Sequence, residues 1–270
     1  MAQLGKAGSA GSATTKGSAR GRRLTDRVAL VTGASRGLGR FFAETLAREG
    51  AHVILGNRSA VPEVTDAIAH AGGKANFVAM DVTRDDSILR AFAEITTQWG
   101  PPAIVLNNAG ITEVVDTLEE DPAGFDRVLS TNLRGPWMIA REAARHMVAA
   151  KRPGSIVNVA SILALRQAGR VTAYATAKAG LVQMTKQLAL EWARFDIRVN
   201  ALAPGYVETD FNRDFFQTDK GREMIRRIPS RRLVPMQDLA EPLILLAGDG
   251  GASITGVVLP VDAGHLLSSL

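Results

Sequence analysis

Tyr174 and Lys178 stand four residues apart in a stretch, 172–194, whose apolar residues recur at helical spacing. On a helix that separation places both side chains on one side. A phenol with its ordinary pKa near 10 is a poor proton donor or acceptor at neutral pH. A neighbouring ammonium favours the phenolate and brings the hydroxyl towards the range useful for general acid–base chemistry. Ser161 follows the apolar run 155–159 and can donate a hydrogen bond to an oxygen on which charge develops. Together these three residues could move a proton to or from an oxygen. Separately they have plainer readings, an exposed Tyr/Lys pair and a capping Ser, although Tyr174 is one of only two tyrosines in the chain.

A second chemistry-bearing segment lies upstream. The run 28–31 leads into Thr32-Gly33-Ala34-Ser35-Arg36-Gly37-Leu38-Gly39, and a helical pattern follows. Gly33 can turn the chain sharply, Gly37 lets backbone approach a pyrophosphate, and Gly39 allows close helix–strand packing. The N-terminus of the following helix offers free N–H groups and positive charge to phosphates. The same residues also spell G-x-S-x-G, which would make Ser35 the nucleophile of a serine hydrolase. That reading leaves Gly39 unexplained, and the later acid and His it needs, Asp262 and His265, lie too close together to be obvious partners.

The run 52–55 ends in Gly56-Asn57-Arg58. An acid there would accept hydrogen bonds from an adenosine ribose diol, and Asn57 carries no charge. The guanidinium of Arg58 instead suits a 2′-phosphate, which Arg36 could approach from the Gly-rich loop. This pattern points to NADP(H) rather than NAD(H).

The elements that must position these residues alternate along the chain. Strand-like runs fall at 28–31, 52–55, 75–80, 104–106, 155–159, 197–201 and 257–261. Most are almost continuously apolar, as strands covered on both faces are. Helical patterns fill the intervals at about 38–49, 63–72, 86–98, 123–150, 172–194 and 237–248. The alternation predicts one α/β domain, a doubly wound seven-stranded parallel sheet with helices on both faces. No linker or repeat divides residues 26–270.

Composition narrows the function classes. Without a single Cys the chain has no disulfide and no thiolate chemistry, and its four scattered His form no metal-ligand pair. No apolar run approaches the length of a membrane span. The formal charge of +5 resides in residues 1–25, which carry five cations and no acid, whereas the other 245 residues hold 27 basic and 27 acidic side chains. A neutral body does not suggest a nucleic-acid partner. The Gly/Ser/Ala-rich tail, residues 1–25, is expected to be disordered. It lacks a secretory h-region, and a solvated tail on a cytoplasmic protein fits it better than a transit peptide.

Taken in order, TGASRGLG at 32–39, Asp81-Val82, NNAG at 107–110, Asn132, Ser161, Tyr174-Ala-Thr-Ala-Lys178 and Pro204-Gly205 make the chain resemble the short-chain dehydrogenase/reductase family over about residues 26–264. The resemblance implies a Rossmann fold and a catalytic tetrad of Asn132, Ser161, Tyr174 and Lys178. Lys178 would hold the nicotinamide ribose, and Asn132 would serve a water-linked proton relay. The other implied cofactor contacts are Gly33, Ser35, Arg36, Gly37, Leu38 and Gly39 at the phosphates, Asn57 and Arg58 at the ribose, and Asp81 and Val82 at the adenine. Asn108, Ala109 and Gly110 would line the adenosine side, and Pro204, Gly205, Val207 and Thr209 would grip the carboxamide. Asp81 could equally be a helix cap.

The expected activity is NADPH-dependent hydride transfer between the cofactor and a ketone, aldehyde or secondary alcohol. A 3-oxoacyl-carrier-protein reductase and a sugar or polyol dehydrogenase are alternatives, and a non-catalytic cofactor sensor is a remote one. Substrate choice is expected from residues 162–170, where Ile162, Leu163, Leu165 and Gln167 form a mainly apolar wall, and from a lid at about 206–232. The lid combines Phe211, Phe215 and Phe216 with six arginines: Arg213, Arg222, Arg226, Arg227, Arg231 and Arg232. These could dock an acidic carrier protein or simply form a solvated face. The family usually assembles as dimers or tetramers, so a homo-oligomer is expected.

Overall fold

The computed structural model describes residues 22–209 and 212–268. Seven parallel strands, β1 (Val28–Thr32), β2 (His52–Asn57), β3 (Lys74–Ala79), β4 (Ile104–Asn107), β5 (Gly154–Val159), β6 (Ile197–Pro204) and β7 (Val258–Val261), form one sheet in the order β3-β2-β1-β4-β5-β6-β7. Nine α-helices connect the described elements: α1 (Gly37–Arg48), α2 (Pro62–His70), α3 (Asp85–Trp99), α4 (Pro122–Leu129), α5 (Gly135–Ala149), α6 (Thr172–Trp192), α7 (Arg213–Gln217), α8 (Asp219–Arg227) and α9 (Ala240–Ala247).

Side chains that alternate along each strand feed two separate cores. Ala29, Val31, Ile104 and Leu106 pack with Phe42 and Leu46 of α1, Ile68 of α2 and Leu243 of α9. Leu30, Val105 and Ile156 pack on the other side with Phe92 of α3, Met138 and Ile139 of α5 and Leu188 of α6. Both faces are therefore buried, which explains the near-continuous apolar runs of the inner strands. The edge strand β3 departs from this pattern, with most of its side chains half-buried or exposed.

Two expectations need correction. The helix predicted at 123–150 is broken by a π-turn at Ser130–Arg134, with α4 before it and α5 after it. Pro136 has no N–H, so the α-helical bond to the Asn132 carbonyl cannot form. The chain takes up the mismatch as a wider turn, in which the Gly135 N–H bonds to Ser130 O. The second correction concerns the tail, expected to run to residue 25. Residues 1–21 lie outside the described residues, but Arg22–Thr25 belong to the folded body. Leu24 is fully buried, and its N–H donates to Glu49 O at 2.8 Å. Arg23 bridges Glu49, after α1, and Glu241, on α9, at 2.7 Å each. A single buried Leu explains the early start, a signal too short to register against Gly/Ser-rich neighbours.

Among the described residues no helix is long and apolar enough to cross a membrane. Replacing Leu24 with Ala empties a site between α1 and α9 that has no slack. The expected loss is about 2–4 kcal/mol of unfolding free energy, read from urea denaturation midpoints.

Candidate active site

In a sheet of this order the connections leave β1 and β4 in opposite directions, which opens a crevice beyond their C-terminal ends. The residues singled out in the sequence gather along that edge, on the loops after β1, β2, β3, β4, β5 and β6 and on α6.

The Gly-rich turn is held by contacts that leave no room for side chains. Gly33 and Gly37 have φ of +66° and +53°, in the left-handed region that favours glycine. A Cβ on Gly39 would sit 2.1 Å from Gly33 O and 2.4 Å from Asn108 Nδ2. Asn108 Nδ2 donates to Thr32 O and Gly33 O at 3.0 Å, and the Thr32 hydroxyl accepts from Asn108 N and Ala109 N at 3.1 Å. Asn57 Oδ1 accepts from Ala34 N at 2.8 Å. Three strand ends are thereby tied to one turn, and Asn57 and Asn108 shape the loop directly.

What remains open in this cradle fits a dinucleotide. The N-terminus of α1 has no side-chain cap and no acid in its first turn, so its N–H groups face the crevice free. Asn57 Nδ2 is buried without a hydrogen-bond partner. Thr209 closes over the loop, its Cγ2 only 4.0 Å from where a Cβ on Gly37 would lie. Arg36 and Arg58 are exposed at the mouth. Burial tends to raise the Asp81 carboxyl, but hydrogen bonds from Thr83 and the charges of Arg58 and Arg84 prevail and hold it below its ordinary value. Asp81 Oδ1 accepts from Thr83 N at 2.9 Å and from its hydroxyl at 2.7 Å, so this residue orders the turn after β3. Val82 is buried beside it. Pro204 ends β6 paired with Val261, Gly205 donates to Val261 O at 2.9 Å, and Val207 bridges Val234 across the base of the 206–232 segment.

The acid–base residues meet at the end of β5. Ser161 is nearly buried, its Oγ accepts from Leu163 N at 3.1 Å, and its hydroxyl lies close enough to Tyr174 to lower that phenol's pKa. Lys178 is buried one helical turn further along α6, its Nζ 5.6 Å from the Tyr174 ring centre and donating to Val159 O at 2.6 Å. Burial pushes the Lys178 ammonium down to about 8. It also raises the Tyr174 phenol, against the lowering effect of Ser161 and with a further push up from Tyr206. Among the protein's own groups, then, Tyr174 is not drawn towards phenolate as the sequence suggested. Its neighbour's ammonium is itself destabilised and directed at a carbonyl.

Asn132 is fully buried in the π-turn. Its amide is spent on Ile111, donating to the carbonyl at 2.7 Å and accepting from the N–H at 2.9 Å. Gly110 passes so close that a Cβ there would lie 3.3 Å from Asn132 Oδ1. Sequence reasoning missed the buried chain beneath, in which Asn107 Nδ2 donates to Asn158 Oδ1 at 2.8 Å and Asn158 Nδ2 to Thr185 Oγ1 at 2.9 Å. Asn107 opens the NNAG motif but was given no role, and Asn158 and Thr185 stand at strand and helix positions that otherwise read as core, with no motif to mark them. At Ser35, no His or carboxylate forms a hydrogen bond among the described residues, so no hydrolase triad assembles there.

The profile of a family described as enoyl-(acyl carrier protein) reductase matches residues 33–265. The chain is 37% identical over 252 residues to a 3-oxoacyl-[acyl-carrier-protein] reductase of Pseudomonas aeruginosa, covering 91% of this chain and 99% of that one. It is 36% identical over 247 residues to the cis-4-hydroxycyclohexanecarboxylate dehydrogenase of Sinomonas cyclohexanicum, covering 91% and 98%. The solved gluconate 5-dehydrogenase of Burkholderia cenocepacia, in complex with NADP and tartrate, superposes with a TM-score of 0.88 at 29% identity, covering 92% and 98%. A parallel sheet with a glycine turn at its switch point and a Ser–Tyr–Lys group beside it defines a dinucleotide-dependent oxidoreductase. The chain belongs to the short-chain dehydrogenase/reductase family.

The depressed Lys178 has a consequence for stability. In the unfolded chain its pKa returns to about 10.5, so between pH 8 and 10.5 the unfolded state binds the extra proton and folding strengthens as pH rises. Below pH 8 the full penalty, about 3 kcal/mol, is present. Relative to Lys178→Met, the parent chain is expected to gain most of that amount between pH 8 and 10, measured by denaturant unfolding at each pH.

Proposed function

We propose that Ser161, Tyr174 and Lys178 carry out reversible hydride-coupled proton transfer on a ketone, aldehyde or secondary alcohol, with NADP(H) held along the β1–β2–β4 edge. The observation that carries this reading is Lys178, buried 5.6 Å from the Tyr174 ring centre at the end of β5, with Ser161 close enough to Tyr174 to lower its phenol. Gly33 to Gly39 and the free α1 N–H groups hold the pyrophosphate. Arg36 and Arg58 take the 2′-phosphate, and Asn57 Nδ2 gains the partner it lacks. Asp81, Val82 and Asn108–Gly110 line the adenosine side, and Pro204, Gly205, Val207 and Thr209 line the nicotinamide side.

When bound, the nicotinamide supplies or accepts the hydride. In reduction the Ser161 hydroxyl hydrogen-bonds the substrate oxygen and Tyr174 gives it a proton as charge develops there. In oxidation Tyr174 takes that proton back, aided by the positive ring of the oxidised cofactor and by Lys178. Lys178 would hold the ribose hydroxyls once its ammonium turned from Val159 O. With the Asn132 amide committed to Ile111, any water relay behind Lys178 would have to use the main chain of Asn132 rather than its side chain.

The relatives' names span an alicyclic hydroxy acid, a sugar acid and a carrier-bound oxoacyl group, which share only the CH–OH/C=O pair. The lid arginines do not favour carrier docking. Arg213 pairs with Glu208, Arg222 with Asp219, Arg226 and Arg227 with Glu223, and Arg232 with Asp238. Five of the six lid arginines are thus engaged with four carboxylates, and Arg231 donates to Arg226 O, which supports a small-molecule substrate. The lid's Phe216 is buried against Tyr206, and Phe211 lies outside the described residues. Trp137 on α5, 41% exposed beside Leu133 of the π-turn and Met184 of α6, supports assembly into a dimer or tetramer. A cytoplasmic location remains part of this reading.

Tyr174→Phe keeps the ring and removes the proton. Turnover is expected to fall by roughly 10² to 10⁴, with NADPH affinity, read by fluorescence titration, essentially unchanged; full activity would sink the assignment. Arg58→Asp exchanges a phosphate partner for a ribose-diol acceptor. Its kcat/KM ratio for NADPH over NADH should drop at least about tenfold, and an unaltered ratio would remove Arg58 from the phosphate site.

A further inference from the structure

Beside Tyr174 stand three polar side chains that the mechanism leaves unused. Tyr206, just after β6, lies close enough to raise the Tyr174 phenol, and its own hydroxyl forms no hydrogen bond among the described residues. The His265 ring packs 5.1 Å from the Tyr206 ring. Only 5% of His265 is exposed, yet its Nδ1 is buried without a partner. An orphaned polar atom in so enclosed a place costs about 1–3 kcal/mol unless something else satisfies it.

Arg166 completes the group. It sits between Leu165 and Gln167, both exposed, but is itself half-buried against the C-terminal segment. Its Nη1 donates to His265 O and, at 2.8 Å, to Ser268 Oγ. The Nε and Nη2 edge has no partner among the described residues, and no carboxylate there pairs with it. Nearby Asp262 is committed elsewhere, its two oxygens accepting from Gly264 N at 3.0 Å and Leu266 N at 2.7 Å. Burial and the Arg166 charge hold His265 below its ordinary pKa against Asp262, so the imidazole is a neutral donor at neutral pH. The cluster thus offers one guanidinium edge, one phenol and one imidazole, with the buried Phe216 packed against the phenol ring.

Resting on the reading of the site as a CH–OH oxidoreductase, we propose that Arg166, Tyr206 and His265 form a carboxylate-recognition site, so that the substrates are hydroxy acids and the corresponding oxo acids. The carboxylate lies on this cluster while the carbon that exchanges hydride lies at Tyr174. A planar fork matches a carboxylate with two parallel hydrogen bonds, and a single net positive charge suits a monoanion better than a phosphate dianion. A neutral polyol would leave the guanidinium edge unpaired in a half-buried site. The carboxylate takes no part in bond changes. The alcohol carbon loses hydride to the oxidised cofactor, its oxygen loses a proton to Tyr174, and the reverse holds for reduction.

The test uses the full chain with NADP⁺ and two matched pairs: cis-4-hydroxycyclohexanecarboxylate against its methyl ester, and gluconate against glucitol. The quantity read is the ratio of kcat/KM for acid over neutral partner, which cancels any general loss of active protein. The parent is expected to favour the acid at least about tenfold, through KM. In Arg166→Gln that ratio should fall about 10- to 100-fold, with Arg166→Lys intermediate because charge survives but the fork does not. His265→Gln and Tyr206→Phe read the same ratio should Arg166→Gln fail to fold, each expected to lower it several-fold. A parent ratio near one, or a ratio that none of these variants moves, overturns the proposal and leaves Arg166 a clamp for the C-terminal segment. Tyr174-dependent turnover of neutral alcohols with rejection of the acids overturns this inference alone. Failure to turn over any alcohol or ketone, with NADPH still bound, overturns the oxidoreductase reading and this one with it.

Discussion

The turn after β1 must reverse the chain and start a helix in so little space that α1 begins almost in contact with the strand end it has just left. A Cβ on Gly39 would lie 2.1 Å from Gly33 O, and one on Gly33 would lie 2.8 Å from Ala109 Cα. That crowding aims the free N–H groups of α1 into the crevice rather than past it. It also brings the β4 exit against the β1 exit, where Asn108 and Ala109 donate four hydrogen bonds to Thr32 and Gly33 across the switch point. The acid–base group depends on this arrangement at one remove. β5 is registered on β4 from Ile104↔Ser155 to Asn107↔Asn158, and Ser161 follows β5 directly. A shift at the glycine turn would therefore move both the cradle and the proton donor.

Much of this was legible because it depends on residue type at a backbone position. Strands buried on both faces announce themselves as apolar runs, and all seven were found within a few residues of their ends. Left-handed or crowded backbone demands Gly, so the turn at 33–39 could be read directly. The i,i+4 spacing of Tyr174 and Lys178 needs only helical geometry. What stayed hidden depends on long-range packing. Asn57 looked like a ligand contact and proves to hold Ala34 first. Arg166 hid between two residues taken as an apolar wall, and only the return of the C-terminal segment makes it part of a site. The break in the helix over 123–150 has its cause in Pro136, whose missing N–H the periodicity of the apolar residues does not register, and the resulting π-turn holds Asn132 against Ile111.

The buried Asn107–Asn158–Thr185 chain shows how the sheet and α6 are kept in register. Polar groups excluded from water must find partners, and a misplaced α6 would strand several of them at once. Thr185 closes the chain by donating to Leu181 O at 2.8 Å, two turns along the helix from Lys178 and on the same side. The network thereby fixes the rotation of α6, and with it the direction in which Tyr174 and Lys178 point.

Burial acts on those two residues in opposite senses, and this biases the chemistry. It raises the phenol and lowers the ammonium to about 8, so two groups of nearly equal basicity in water move apart and the proton stays on Tyr174. A protonated Tyr174 is the form that reduction requires, and the protein supplies it across the neutral range without further adjustment. Oxidation requires the phenolate, which the protein's own groups disfavour. The positive charge of an oxidised nicotinamide beside the ring opposes that preference, whereas the neutral reduced ring does not. On the proposed assignment the state of the cofactor would set whether Tyr174 gives or takes a proton, and Ser161, the neighbour that lowers the Tyr174 pKa, would also be the residue that meets the substrate oxygen.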